Sequence, residues 1–265
     1  MTMMFEVEDL LVASPATVSR CGMVYMEPES LGLGVLVKSW MNTLPEKVLK
    51  NKYIVDTLNA MWDDMLVEGC YFLRRNLPEM VKTVDNNIAQ SCMRLLNCFL
   101  QKYIETEIKK VTAEQIDQLG SQIKAIFMFC FTWSVGGTTD LVGRKRFDGY
   151  IREKMQKFNV SFPAEKQIYD WHLDSNTGEW NSWFDTIPAF DVDIRWAYSE
   201  IVVPTEDSIR MKYLMKKLIE NDKHVLMPGP TGTGKTMYVQ QLTTYGMSEE
   251  FLTINMCFSA QTSAN

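Results

Sequence analysis

Eight consecutive residues carry the clearest chemistry in this chain. Gly229, Pro230, Thr231, Gly232, Thr233, Gly234, Lys235 and Thr236 follow the pattern G-x-x-x-x-G-K-S/T. A loop of this kind handles polyphosphate. Its glycines let successive backbone N–H groups turn inward around an anion, and the helix that follows adds the positive end of its dipole. Lys235 has the reach for the β- and γ-phosphates of a nucleotide. The Thr236 hydroxyl suits Mg²⁺, a hard cation that keeps several of its waters. Met237 follows directly and is counted with the site. A chance match in a glycine turn is the competing reading, but 14 glycines in 265 residues give chance little raw material.

The elements that must position this loop are legible on both sides of it. His224-Val225-Leu226-Met227 is a short apolar run, suited to a buried strand. Lys235 to Tyr245 reads as a helix with Gly246 as its C-cap. Strand, loop and helix in that order are what phosphate binding requires. Upstream, Ile201 to Thr205 is extended and apolar. Thr205 is a good N-cap, with Glu206 and Asp207 in the first turn. The helix after it shows Ile209, Leu214, Leu218 and Ile219 along one side, with Arg210, Lys216 and Lys217 outside. A segment in this place often covers the adenine, so Val203, Pro204 and Thr205 are expected to touch the base. An ordinary amphipathic helix is the plainer alternative. Phe251–Phe258 is the next strand candidate.

Earlier in the chain the pattern is helical. Met23-Val24-Tyr25-Met26 reads as a buried strand, and from Pro28 to about Phe158 helices dominate. They are expected over Tyr53–Asn76, Leu77–Ile108, Thr112–Phe131 and Arg144–Lys157. Val81, Val84, Ile88, Met93, Leu96, Phe99 and Leu100 recur at helical spacing. Thr112 with Gln115 forms a capping-box pattern, and Gly136-Gly137-Thr138 is turn-prone. Between Phe162 and Tyr198 the texture changes. Trp171, Trp180, Trp183 and Phe184 flank Asp174-Ser175-Asn176-Thr177-Gly178, a strong hairpin signal. A stacking surface for a base or sugar is one reading of these rings; a short hairpin packed between domains is preferred.

Composition narrows the function classes. The hydrophobic share of 46% and aromatic share of 11% suit a globular protein with real cores. A net charge of -6 argues against a nucleic-acid or anionic-membrane binder. Cys21, Cys70, Cys92, Cys98, Cys130 and Cys257 form no C-x-x-C pair, so zinc is not expected. Buried reduced thiols and a reducing cytosol are the natural reading. No apolar run reaches the roughly 18 residues of a membrane span. His172 and His224 are isolated, and His224 is read as a packing or edge residue.

Several segments, taken in order, resemble dynein heavy chains. Met4 to Leu10, followed by Ser14-Pro15-Ala16-Thr17-Val18-Ser19-Arg20-Cys21-Gly22-Met23-Val24, resembles the end of their second AAA+ large subdomain. Trp133 to Gly137 and Arg146-Phe147-Asp148 resemble that module's small helical subdomain. Val203-Pro204-Thr205 and the loop at 229–236 resemble the opening of the third module, and Met26-Glu27-Pro28 has an axonemal wording. The resemblance implies an α/β plus α fold of the AAA+ P-loop type. In it a helical small subdomain is followed by the first part of a parallel-sheet nucleotide-binding subdomain. The divisions implied are 1–27, 28–161 (helical small subdomain), 162–200 (hairpin linker) and 201–265 (truncated third large subdomain).

The resemblance also assigns roles. Arg20 falls at the arginine-finger position, where a guanidinium stabilises charge growing on a neighbouring module's γ-phosphate; capping a local helix or pairing with Glu27 is the alternative. Arg144 and Arg146 lie near a sensor position, although an exposed helix surface is the stronger reading for both. ATP or ADP with Mg²⁺ is the implied ligand set. The implied partners are other AAA+ modules of the same heavy chain, dynein light and intermediate chains, and microtubules, with no nucleic acid and no membrane. The implied location is the cytoplasm, on the cytoskeleton of a ciliary axoneme. The chain is expected to be catalytically incomplete as given, for lack of an acidic metal-binding strand and sensors. A non-catalytic interaction fragment is the second reading. An unrelated P-loop enzyme is disfavoured by the helical block and the Arg20 segment.

Overall fold

The computed structural model describes residues 5–7, 9–25, 31–106, 110–190 and 202–258. Met4, Glu8, Met26 to Pro28, Ile201 and the 191–200 part of the expected linker lie outside the described residues. A one-turn helix, α1 (Pro15–Val18), comes first, capped by the Ser14 side chain. A helical block follows: α2 (Gly32–Met41), α3 (Glu46–Lys50), α4 (Lys52–Asn76), α5 (Asp85–Leu100), α6 (Ala113–Val135) and α7 (Leu141–Lys157).

Helix α6 is the centre of the block. Its start is fixed locally, because Thr112 accepts from the Gln115 amide while the Gln115 side chain accepts from the Thr112 amide. From Ile123 to Val135 it is buried on nearly every side, since α4, α5 and the strand at 171–173 all pack against it. Aromatic rings then run through the block in edge-on and stacked contacts. Trp62 meets Trp40 at 5.7 Å and Phe127 at 4.8 Å. Phe127 leads to Phe131, then Phe147, then Tyr169 at centroid distances of 5.9, 6.5 and 6.3 Å. Tyr169 donates its hydroxyl proton to the Gly136 carbonyl at 2.7 Å. A Cβ on Gly136 would stand 2.4 Å from that hydroxyl, so only glycine fits the approach.

Two departures from the sequence expectation have simple causes. The helix expected from Leu77 begins only at Asp85: Leu77 precedes Pro78 and is driven to extended backbone (φ -116, ψ 131), and Glu79 then bridges to Thr139 while Met80 donates its amide to the Thr138 carbonyl. The corner is held instead by Arg74, which bonds Glu79, Thr83 and Asp85. Met23 to Tyr25 are extended but exposed and unpaired, in place of the buried strand expected there. A short apolar run becomes a strand only where a partner strand supplies hydrogen bonds. On α7, Lys154 is buried and bonds Asp64 at 2.9 Å and Glu68 at 2.5 Å, fastening α7 to α4.

The aromatic hairpin forms as expected. Strand β1 (Trp171–Leu173) pairs antiparallel with β2 (Trp180–Ser182), the one sheet among the described residues. Gly178 takes φ +78, and a Cβ there would lie 2.7 Å from Gln122 Cγ. Lys102, Gln118 and Gln122 donate to the carbonyls of Ser175 and Asn176, so the tip is stapled to the helical block. The tryptophans therefore pack inward and do not line a stacking surface: Trp183 is buried, and Trp180 packs on Phe162 and Phe129.

Beyond the hairpin lie α8 (Glu206–Ile219) and α9 (Lys235–Gln241), the latter continued by a π-helical turn over Leu242–Gly246. Helix α8 lays Ile209, Tyr213, Leu214 and Leu218 on the block's core. The expected strands at 224–227 and 251–258 carry no regular secondary structure and no ladder bonds, so the described residues form no parallel sheet. Of the cysteines, Cys70, Cys92, Cys98 and Cys130 are buried free thiols, while Cys21 and Cys257 are exposed. Burial pushes the Cys98 thiol up to about 11 and Cys70 up to about 12. No described helix is long and apolar enough to cross a membrane.

His172, on β1, stacks 4.6 Å from Trp183, and its Nε2 is buried without a partner. Burial disfavours the imidazolium and holds its pKa below the ordinary 6.5, with Asp174 opposing in part. The unfolded chain therefore takes up this proton first as pH falls. Stability from His172 should be intact above about pH 6.5 and decline as pH falls from there through the folded value. Thermal unfolding between pH 7.5 and 5.5 should show a steeper acid-side loss for the wild type than for His172→Phe. Parallel profiles would contradict this.

Candidate phosphate-binding site

The loop at 229–236 begins from an extended lead and ends in a helix. Gly232 and Gly234 adopt φ +82 and +78, left-handed backbone that a side chain enters only at a cost. Gly234 is the N-cap of α9, and its carbonyl accepts from the Tyr238 amide at 3.0 Å. The amides of Gly232, Thr233 and Gly234 make no hydrogen bond to the described residues. Lys235 curls back over the loop. Its ammonium donates to the Gly229 carbonyl at 2.9 Å, the Pro230 carbonyl at 2.5 Å and Thr233 Oγ1 at 3.3 Å. Thr233 donates to the Pro230 carbonyl at 3.0 Å.

This donor set fits a polyphosphate. One ammonium and a run of amides come together, and no described carboxylate pairs with Lys235. There is room as well: a Cβ built on Gly232 meets nothing within 4 Å. Thr236 is exposed in the first turn of α9, its hydroxyl unbonded to the described residues and next to the lysine. Met237 is on the same turn. Behind α9 lies an apolar cleft of ≈ 550 Å³ lined by Met215, Ile219, Val225, Met227, Val239 and Leu242, with His224 at its edge.

The other expected site residues lie elsewhere. Val203, Pro204 and Thr205 lead into α8, where Thr205 and Ser208 form a capping box. No hydrogen bond or ion pair among the described residues joins them to the loop. Helix α8 reaches α9 further along, where Lys212 donates to Gln241 at 3.3 Å. Arg20 is exposed on the turn closing α1; its amide bonds the Thr17 carbonyl, and its side chain makes no ion pair with described residues. The alternative pairing with Glu27 falls outside the described residues.

Two arginines behave differently from expectation. Arg210 was to face solvent, yet it is buried with a side chain only 7% exposed. It donates to the Tyr169 carbonyl at 3.1 Å, and Glu206, Asp207 and Asp170 lie within 4.0 Å of its guanidinium. Its Nε stands 3.2 Å from Asp207 Oδ1 without the alignment of a hydrogen bond. Arg144, expected on an exposed face, is half-buried over the Tyr169 ring at 5.1 Å, with Asp207 at 3.8 Å. Burial and the adjacent Arg210 lower its pKa from the usual arginine value. Arg146 is exposed as expected and donates to the Asn76 carbonyl. The acids at i-4 and i-3 of Arg210 were a legible signal for an ion-paired arginine. Its burial was not, because Tyr169 lies 41 residues earlier.

Comparison with known proteins finds two family matches along the chain. Residues 58–185 match the family described as dynein heavy chain AAA lid domain, and 190–265 match the P-loop containing dynein motor region. Over its whole length the chain is 36% identical to dynein axonemal heavy chain 1 of Homo sapiens and 37% identical to that of Mus musculus. It is 33% identical to dynein axonemal heavy chain 2 of Homo sapiens. The chain spans about 7% of the length of the first two and 6% of the third.

The left-handed cap gives a direct check. Gly234→Ala forces a side chain into that backbone at a cost of about 1–2 kcal/mol. The Tyr238 amide, which closes the first turn, should then exchange with solvent about 5- to 30-fold faster. Gly149→Ala, within α7 where a Cβ meets nothing within 4 Å, should instead slow exchange in its own helix.

Proposed function

This chain belongs to the dynein heavy chain family, and on that footing we propose that it is an ATP- or ADP-binding segment of a dynein motor. The observation that carries the reading is the loop at 229–236, with two glycines at positive φ and Lys235 and Thr236 opening a helix. Val203 to Thr205 would contribute to the base side of the site. Residues 1–27, 28–161, 162–200 and 201–265 are read as the end of one large subdomain, its small helical subdomain, a hairpin linker and the next large subdomain. The stretches 224–227 and 251–258 are read as neighbouring strands of a parallel sheet. Their exposed apolar residues, Leu226, Leu252, Ile254, Met256 and Phe258, suit strands that pair with further strands.

In the binding step, the loop amides and the Lys235 ammonium would hold the β- and γ-phosphates, and the Thr236 hydroxyl would hold Mg²⁺. Bound Mg²⁺ neutralises phosphate charge. Binding without turnover by this chain alone is part of the same proposal. Arg20 is proposed as a finger toward a neighbouring module. Its exposure, free of ion pairs to the described residues, suits that task. Other AAA+ modules of the same heavy chain are the nearest partners. Light and intermediate chains, microtubules and an axonemal location follow for the whole motor.

A titration with Mg·ADP tests the reading. Saturable binding is expected, and Lys235→Ala should weaken it about 30-fold or more, as loss of charge-assisted hydrogen bonds predicts. ATP turnover should stay at background in both the wild type and Lys235→Ala. Equal binding by the two proteins, or turnover that survives the substitution, would refute the assignment.

A further inference from the structure

The phosphate loop is closed by its own side chains. The Lys235 ammonium has three protons to donate, and three loop oxygens take them: the carbonyls of Gly229 and Pro230 and the hydroxyl of Thr233. The hydroxyl works in both directions. It accepts from Lys235 at 3.3 Å and donates its single proton to the Pro230 carbonyl at 3.0 Å. The first limb of the loop (229–230) and the second (233–235) are thereby tied through one oxygen and one ammonium. Lys235 cannot direct the same protons at phosphate without releasing them here.

Resting on the phosphate-binding reading of this loop, we propose that Thr233 is a latch that holds Lys235 closed, so that polyphosphate binds in competition with it. Residue 233 then sets apparent nucleotide affinity without being required for it. The other threonines of the loop do not share this role: Thr231 and Thr236 make no hydrogen bond to Lys235. When only a fraction of the protein is binding-competent, apparent Kd rises by the inverse of that fraction. A latch closed about 70–90% of the time raises Kd roughly 3- to 10-fold.

The test compares the whole chain carrying Thr233→Val, which keeps the shape and removes the hydroxyl, with Thr233→Ser, which keeps the hydroxyl. Mg·ADP titration should show Thr233→Val binding about 3- to 10-fold tighter and Thr233→Ser matching the wild type. Independently of nucleotide, acetic anhydride should acetylate Lys235 faster in Thr233→Val than in the wild type, read by mass spectrometry of the ligand-free protein. Unchanged or weaker binding by Thr233→Val, or an unchanged acetylation rate, overturns the latch. Absence of saturable Mg·ADP binding by the wild type overturns the phosphate-binding reading itself and takes the latch's function with it.

Discussion

One buried guanidinium joins the two parts of this chain. Arg210 leaves α8 and enters the helical block, where the Tyr169 carbonyl and the carboxylates of Asp170, Glu206 and Asp207 receive it. A charge taken out of water in this way is stable only while those partners remain, and removing one side of such a pair costs about 3–5 kcal/mol. Asp207 is more than half exposed, so water screens part of the interaction and the lower end of that range applies. Arg144 adds a second cation from α7 and stacks on the ring of Tyr169, the residue whose carbonyl holds Arg210. Tyr169 is in turn fixed by the glycine at 136. The loop at 229–236 therefore inherits its position from an aromatic core that lies in another part of the sequence.

Helix α8 transmits that position. Its first half is clamped by the arginines, its middle packs Tyr213 on Trp183, and Lys212 meets the end of α9. The loop itself is soft by comparison. It is exposed, its lysine is satisfied by its own carbonyls, and the residues leading into it at 224–228 lie in no strand among the described residues. A loop of low local stability on a rigid support is the arrangement expected of the proposed site, where a ligand would supply the final ordering.

Local signals were readable from sequence. The capping box at Thr112 and Gln115, the cap at Thr205, the turn at 174–178 and the left-handed glycines at 232 and 234 ahead of a helix each depend on residues within a few positions, and each forms. The start of α5 was only partly within reach: Pro78 keeps Leu77 extended, but the pairing of Glu79 and Met80 with Thr139 and Thr138 depends on residues about 60 positions away. What could not be read depends on distant neighbours. The burial of Arg210 needs Tyr169, the half-burial of Arg144 needs the same ring, and the inward packing of the tryptophans needs Gln118 and Gln122 at the hairpin tip. The strands expected at 224–227 and 251–258 need partners in a sheet, which apolar character alone does not provide. For the site, the motif located the lysine, but its bond to Thr233 is a matter of side-chain geometry that spacing does not encode.

Hydrogen exchange on Arg210→Ala is the most direct test of the claim that one buried arginine fastens the nucleotide-loop segment to the helical block. The amides of α8 and α9 should lose protection while those of α4 and α6 keep theirs. Unchanged protection across α8 and α9, or a loss spread evenly through the aromatic core, would contradict it.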